Sequence, residues 1–322
     1  MPPEVTAALP LEEVGDPAAR PFGAAGGVLG RACRRHSVKV ALAFLVVLVV
    51  LALIAPLLGL DPEKQDLLHR NLGPGAGHVL GTDALGRDMF ARVLYGARIS
   101  LLVAVAAAAA SLLIGVPLGA IAGYRGGFAD AFVSRSADAL YAMPDLLFAI
   151  LISALIRGNV DADAHGVWAA ASKLDGWTGG LAGMLVALAV TSWLTTFRLV
   201  RGQVLALKER EFTKAAVASG ARSGYVIRRH LLPNALAPIV VAITIVMPTA
   251  ILLEAGLSFI GVGAQPPTAS WGLMISEGVD SVRSFPHELV VPAGAVGLTL
   301  LAVTIVGDAI RDALDPNRRT DT

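Results

Sequence analysis

The sequence predicts an all-α, polytopic membrane protein of six transmembrane helices with both termini in the cytoplasm, and three observations carry that reading. Of its 322 residues 55% are hydrophobic and only 16% charged, with a mean hydropathy of +0.67, well above the range of soluble domains. Six runs have the ~20 apolar residues that an α-helix needs to cross roughly 30 Å of hydrocarbon. The Lys and Arg residues are also unevenly shared between alternate loops. The period-2 alternation of a membrane barrel is absent, so helices are the way to satisfy backbone groups where no water is available.

The chain opens with a Pro-, Ala- and Gly-rich stretch without periodicity, read as a flexible cytoplasmic tail over 1–37. The first span, Val38 to Leu58, follows a polar lead too long for a signal peptide and has no small-x-small cleavage site after it. It is read as a retained helix. An extracytoplasmic segment over 59–98 contains Leu80-Gly-Thr-Asp-Ala-Leu-Gly-Arg-Asp-Met-Phe90, a loop entering a helix with Thr82 or Asp83 as its cap. On residues alone this is also compatible with an amphipathic helix lying on the membrane surface.

The remainder, 99–310, holds five spans: Ile99 to Gly123, Ala137 to Ile156, Gly179 to Val200, Ala235 to Gly256 and Leu289 to Ile310. In the second span Gly115, Gly119 and Gly123 recur every four residues, which clears one stripe for a neighbouring helix. The stripe fits a contact within the chain, a subunit seam or a pore lining. Pro117 and Pro248 each remove a backbone donor and predict kinks. Asp138, Glu254 and Asp308 lie near span ends, where each can reach an interface or an arginine such as Arg311. A tail follows over 311–322.

An even number of spans lets the basic residues be sorted. Of the 26 Lys and Arg residues, 18 fall in the set that contains the amino-terminal tail, the turn with Arg125 and Arg135, the segment from Arg198 to Arg229, and the carboxy-terminal tail. Positive charge collects on the cytoplasmic side, so that set is cytoplasmic. The net charge of +1, spread over membrane-flanking positions, excludes a polyphosphate-binding face and hence nucleic acid as a partner. The single cysteine, Cys33, cannot form an intrachain disulfide. The histidines are scattered, His-Glu-x-x-His is missing, and no metal site is predicted. No Gly-Lys dipeptide occurs, so the phosphate-cradling Gly-Lys-Ser/Thr loop is missing too.

The least membrane-like segment runs from Lys208 to Asn234, between the fourth and fifth spans. Phe212, Ala215, Ala216 and Ser219 recur at helical spacing, Gly220 interrupts them, and a second amphipathic stretch from Arg222 to Leu232 is expected to end at Pro233. Two short helices joined at a glycine follow. Small Ala215 and Ala216 leave room for another protein, and Glu209, Arg210, Glu211, Lys214, Arg228 and Arg229 supply a charged rim. A docking element and a plain interfacial helix pair are both compatible with this pattern.

The spacing Lys214-Ala215-Ala216, Gly220, Leu232-Pro233 resembles the "EAA" loop of permeases in binding-protein-dependent ABC importers. The resemblance runs from about Arg34 to Asp315 and includes Leu80-Gly-Thr-Asp-Ala-Leu-Gly-Arg-Asp88, Tyr95-Gly-Ala-Arg-Ile-Ser-Leu101, Gly115-Val-Pro-Leu-Gly119, Arg201-Gly-Gln203, Glu254-Ala-Gly-Leu-Ser-Phe-Ile-Gly261, Gln265-Pro-Pro-Thr-Ala-Ser-Trp-Gly272 and Gly307-Asp-Ala-Ile-Arg-Asp-Ala-Leu-Asp-Pro316. Together these are similar to the C-type permease of the dipeptide/oligopeptide and nickel branch. The resemblance implies the type I ABC importer permease fold. It also implies a heteromeric complex: a second permease, two cytoplasmic ABC ATPase domains that use ATP and Mg, and an extracytoplasmic substrate-binding protein. This chain itself would bind no cofactor and carry no catalytic residue. The loop over 201–233, with Glu211, Phe212, Lys214, Ala215, Ala216, Gly220, Arg228, Arg229, Leu232 and Pro233, would dock on an ATPase.

Lys214 stands where the family has Glu, reversing the charge its partner should show, and Glu211 three residues earlier can pair with it. Cargo is expected to be peptide, with nickel, glutathione or another small solute as alternatives; no residue is singled out as substrate-binding. A secondary transporter or channel would ask for interrupted helices, inverted repeats or a mid-membrane ion site, none of which is legible. A membrane anchor would leave the polar module without a purpose.

Overall fold

A computed structural model describes residues 35–75, 77–159 and 180–314, with isolated positions between 160 and 179. Most of the amino-terminal tail, the end of the carboxy-terminal tail, Cys33, His165 and the predicted start of the fourth span at Gly179 lie outside the described residues. Among the described residues the structure is helical, with two isolated bridges in the external segment and no strand.

The first span is α1 (His36–Ile54). Its buried residues Val38, Ala41, Leu48 and Ala52 form one narrow stripe, and Val46, Val47, Val50 and Leu53 face outward. Lipid tails are as apolar as these side chains, so only that stripe has to fit protein. The second span, α2 (Met89–Arg125), is 37 residues long. It starts far outside the predicted Ile99, and its cap is Asp88, whose carboxylate accepts from Ala91 N at 2.8 Å. Thr82 and Asp83 serve the preceding loop instead. Thr82 Oγ1 accepts from Leu72 N and donates to His69 O, and Asp83 accepts from Leu85 N and Arg87 N. In the same loop, the hydrogen bond from the His69 ring holds the exposed Asp66 carboxyl below the ordinary carboxylate range.

Pro117 does not break α2. A π turn, Ser111–Gly115, precedes it, and the helix resumes with the proline in its first turn, where a missing donor costs least. Pro248 likewise lies within the continuous fifth span, α8 (Leu236–Phe259).

The third span differs from the straight helix expected over Ala137 to Ile156. It is two helices, α3 (Gly127–Tyr141) and α4 (Asp145–Arg157), bent by 91°. Pro144 disfavours helical geometry at Met143 and contributes no N–H, which ends α3 there. The fourth span, α5 (Ala182–Lys208), has a turn at Ser192 and runs eight residues beyond the predicted Val200. After the cytoplasmic helices α6 (Glu211–Ala218) and α7 (Ser223–Val226) comes α8, then an external helix, α9 (Trp271–Val279), and the sixth span, α10 (His287–Leu314). Trp271 is fully buried and its indole N–H donates to Val93 O at 2.9 Å, tying α9 to α2.

The second halves of α2 and α5 make the tightest helix pair. A Cβ added at Gly115, Gly119 or Gly123 would stand 2.7, 2.7 and 2.9 Å from the carbonyl oxygens of Trp193, Phe197 and Arg201. Both series step by four residues, so the two backbones run in contact for two turns. Ser111 Oγ and Thr196 Oγ1 are hydrogen-bonded in the same seam.

The three membrane-proximal carboxylates behave differently from one another. Asp138 is exposed and pairs with Arg198, and Asp308 is exposed. Glu254, expected to reach an interface or an arginine, is fully buried and accepts from Ser100 Oγ at 2.7 Å and Ser258 Oγ at 2.9 Å. Among the described residues no cation meets it, and a polar knot between α2 and α8 satisfies its oxygens.

Candidate functional site

The cytoplasmic module is built on the ends of α5 and α8. Helix α5 stops at Lys208, α6 follows, and Gly220 makes the turn after it with φ +81°, a left-handed conformation that costs glycine nothing. The buried Thr213 donates its hydroxyl to Leu207 O at 2.9 Å and so fastens α6 to the end of α5. The second helix does not end at Pro233. From α7 the chain continues through a π turn, Ile227–Leu231, and a short turn, Leu232–Asn234, into α8. Pro233 sits in the first turn of that last piece, where the wider π spacing has already released the carbonyls it could not have paired with. The second half of the module, from Ser223, is therefore a nearly continuous helical extension of the fifth span.

Its inner face is apolar. Val226, Leu231 and Ala235 are buried against Val200 and Val204 of α5 and Ala120 of α2, with Ala216 and Leu232 packed on their margin. Phe212 and Tyr225 flank His230 with ring centroids 6.5 and 5.7 Å away, closing the open side of the pair. The two alanines thus divide: Ala216 is half-buried toward the spans, and Ala215 is exposed beside Glu211, Lys214, Gly220, Arg228 and Arg229. Pro233 is half-buried. Lys214 pairs with Glu209 at 3.3 Å, not with Glu211; both side chains are more than 60% exposed, so water screens the pair. The roles of Thr213 and Tyr225, and the pairing of the rim residue Glu209 with Lys214, are not legible in the sequence. Thr213 sits among polar neighbours, and Glu209 and Lys214 face each other only because the chain turns between α5 and α6.

A second polar cluster lies on the extracytoplasmic side. Arg92 donates to Asp83 Oδ2 at 2.6 Å and to Glu277 Oε2 at 2.7 Å, and Arg87 reaches the same two oxygens at 2.7 and 3.0 Å. Arg92 is 2% exposed. The cluster joins the external loop, α2 and α9. A groove of about 1170 Å³ runs along α1, α2, α8 and α10, lined by Leu45, Val49, Val105 and Met247 with Arg98 and Glu63 among its polar residues. Among the described residues no three His, Cys, Asp or Glu side chains group as metal ligands.

A bundle of apolar helices whose fourth and fifth spans extend into a folded polar helix pair defines a multi-pass membrane protein. Residues 115–320 match the family described as binding-protein-dependent transport system inner membrane component. The oligopeptide transport system permease protein OppC of Bacillus subtilis is 39% identical over 281 residues, 87% of this chain and 85% of that protein. The dipeptide transport system permease protein DppC of the same organism is 41% identical over 286 residues, covering 87% and 83%. The glutathione transport system permease protein GsiD of Pectobacterium atrosepticum is 36% identical over 292 residues, 90% of each chain. The fold is also that of a chain in the inward-facing MetNI methionine ABC transporter, with a TM-score of 0.52, 19% identity, and coverage of 70% of this chain and 97% of that one. The chain belongs to the inner membrane components of binding-protein-dependent transport systems. It is a multi-pass protein of the cell membrane.

Proposed function

We propose that this chain is one permease of a heterodimeric, ATP-driven importer that passes short peptides, delivered by an extracytoplasmic binding protein, into the cytoplasm. The observation that carries this is the folded module between α5 and α8: an apolar inner face seated on two spans and an exposed outer face of Glu211, Lys214, Ala215, Arg228 and Arg229. A surface that is rigidly joined to two membrane helices can pass a partner's movement into them. ATP and Mg belong to two partner ATPase domains, in keeping with the missing Gly-Lys loop. Alternating access follows: closure of the ATPases shifts the module, α5 and α8 tilt, and the central path opens outward. Peptide cargo rests on relatives that are peptide, dipeptide and glutathione permeases. An interrupted helix, which a secondary transporter would need, is present here in the third span, so that feature does not separate the two readings; family membership favours the importer.

The test is co-expression with the neighbouring subunits and deletion of residues 211–222. The expected result is loss of ATPase co-purification and of uptake of di- and oligopeptides, with nickel and glutathione assayed in parallel. Retained ATPase and retained uptake would sink the importer reading. Lys214→Glu is expected to leave thermal stability within about 0.5 kcal/mol, because its partner is screened, and to lower uptake per ATP if the facing ATPase surface is acidic. Faster transport would show that Lys is not adapted to its partner.

A further inference from the structure

We propose that Arg201 and Asp130 are positioning residues for coupling: they clip α3, the first half of the broken third span, to the cytoplasmic half of α5 that carries the module, so that α3 follows that half of α5 while α4 stays with the outer half. The inference rests on the docking role of the module given above.

Arg201 lies on α5, seven residues before its end at Lys208. Its guanidinium makes a two-pronged contact with Asp130 of α3, Nε to Oδ1 at 2.5 Å and Nη2 to Oδ2 at 2.7 Å. Such paired N–H···O bonds fix orientation as well as distance. Ser134 Oγ also donates to Asp130 Oδ1, which leaves the carboxylate little freedom to turn. One turn farther along, Arg198 donates to Asp138 at 2.8 Å and lies 4.0 Å from the centroid of the Tyr141 ring. The two pairs, Asp130–Arg201 and Asp138–Arg198, are eight residues apart on α3 and three apart on α5, in opposite chain directions. The carbonyl of Arg201 meanwhile faces Gly123 of α2, at the distance where a Cβ would stand 2.9 Å away. Arg201 thus joins α2, α3 and α5 at one level.

Apolar packing does not explain why α3 stays there. Ala137 is its one buried residue, with Val133 and Leu140 on the margin of the Trp193–Phe197 cluster, while Phe128 and Phe132 stack on each other and face outward. Where neighbouring lipid is as apolar as a helix face, close packing and polar contacts hold helices together, and α3 has little of the former. Past the 91° bend the attachments change: α4 lies along the outer half of α5, where Gly183 admits Ser153, and Arg157 donates to Gly263 O beyond α8. Helix α3 is held to the driven side of α5 and α4 to the outer side, with residues 142–144 between them. A shift of the module would be taken up at that bend and not by the whole third span.

The test uses the assembled complex in proteoliposomes with Asp130→Asn, Arg201→Gln, the double neutral variant, and the swap Asp130→Arg with Arg201→Asp. The double neutral form leaves no unpaired charge and is expected to assemble normally, to bind ATPase subunits and to hydrolyse ATP, with solute taken up per ATP reduced about tenfold or more, as for a lost coupling of ordinary size. The swap should recover much of that loss. Unchanged uptake per ATP in the double neutral form would overturn the proposal. So would lost ATPase co-purification, which would make the pair part of docking or folding, or a swap that assembles yet transports no better than the double neutral form. The deletion of 211–222 reads the docking role separately: ATPase that stays bound there refutes docking, while the clip is judged by uptake per ATP.

Discussion

Gly119→Leu is expected to leave almost no correctly assembled protein in the membrane. A Cβ at this position would stand 2.7 Å from Phe197 O, 3.0 Å from Val200 Cβ and 3.1 Å from Arg201 N. Two of those atoms are backbone, which cannot swing aside as a side chain would. The helices must separate, and separation also withdraws Gly115 and Gly123 from their facing carbonyls. Overpacking of a closely fitted site costs about 1–3 kcal/mol even where neighbours adjust, and here the upper end or beyond is expected. Fluorescence size-exclusion and thermal melting in detergent give the measurement. Gly202→Leu is the control, because a Cβ at that exposed position on α5 meets nothing within 4 Å. If the two variants melt alike, the seam does not hold the bundle together.

Arg92→Met is expected to be the second severe change, through charge and not volume. The side chain is 2% exposed and bridges Asp83 and Glu277, which it shares with Arg87. Methionine restores much of the bulk but leaves two carboxylates beside one remaining guanidinium. Breaking a buried ion pair on one side costs about 3–5 kcal/mol. A melting shift is the readout, together with protease sensitivity in the external loop near Asp83. The comparison is Arg35→Met, whose pair with Asp312 is 62% and 31% exposed and worth about 0–1 kcal/mol. Equal shifts in the two variants would show that burial of the external cluster contributes nothing.

These cases mark where the sequence was readable. Span positions follow from local composition: the helices His36–Ile54, Leu236–Phe259 and His287–Leu314 lie within a few residues of the runs that predict them. The spacing of Gly115, Gly119 and Gly123 announced a close contact; that its partner is the carbonyl row from Trp193 to Arg201 is a long-range fact no spacing contains. The break in the third span was missed although Pro144 was visible, because an apolar run averages over its own interruption. Glu254 pairs with Ser100, 154 residues away, so its environment is invisible locally. In the module, Gly220 and the alanine spacing gave two helices. The π turn that lets Pro233 be passed instead of ending the second one depends on how Leu231 and Ala235 pack on α2 and α5.

The glycine row has one more consequence, for the lengths the chain can tolerate. Contacts between Gly115, Gly119 and Gly123 and the carbonyls of residues 193, 197 and 201 work as a ratchet with a four-residue tooth. One residue inserted within either row turns everything beyond it by about 100° and moves it 1.5 Å along the axis, so the remaining teeth no longer mesh. Insertions and deletions should therefore be barred from 115–123 and 193–201. Between those two rows the glycine teeth set no length, and register there is carried by other contacts, Asp130 with Arg201 and Ser153 with Gly183.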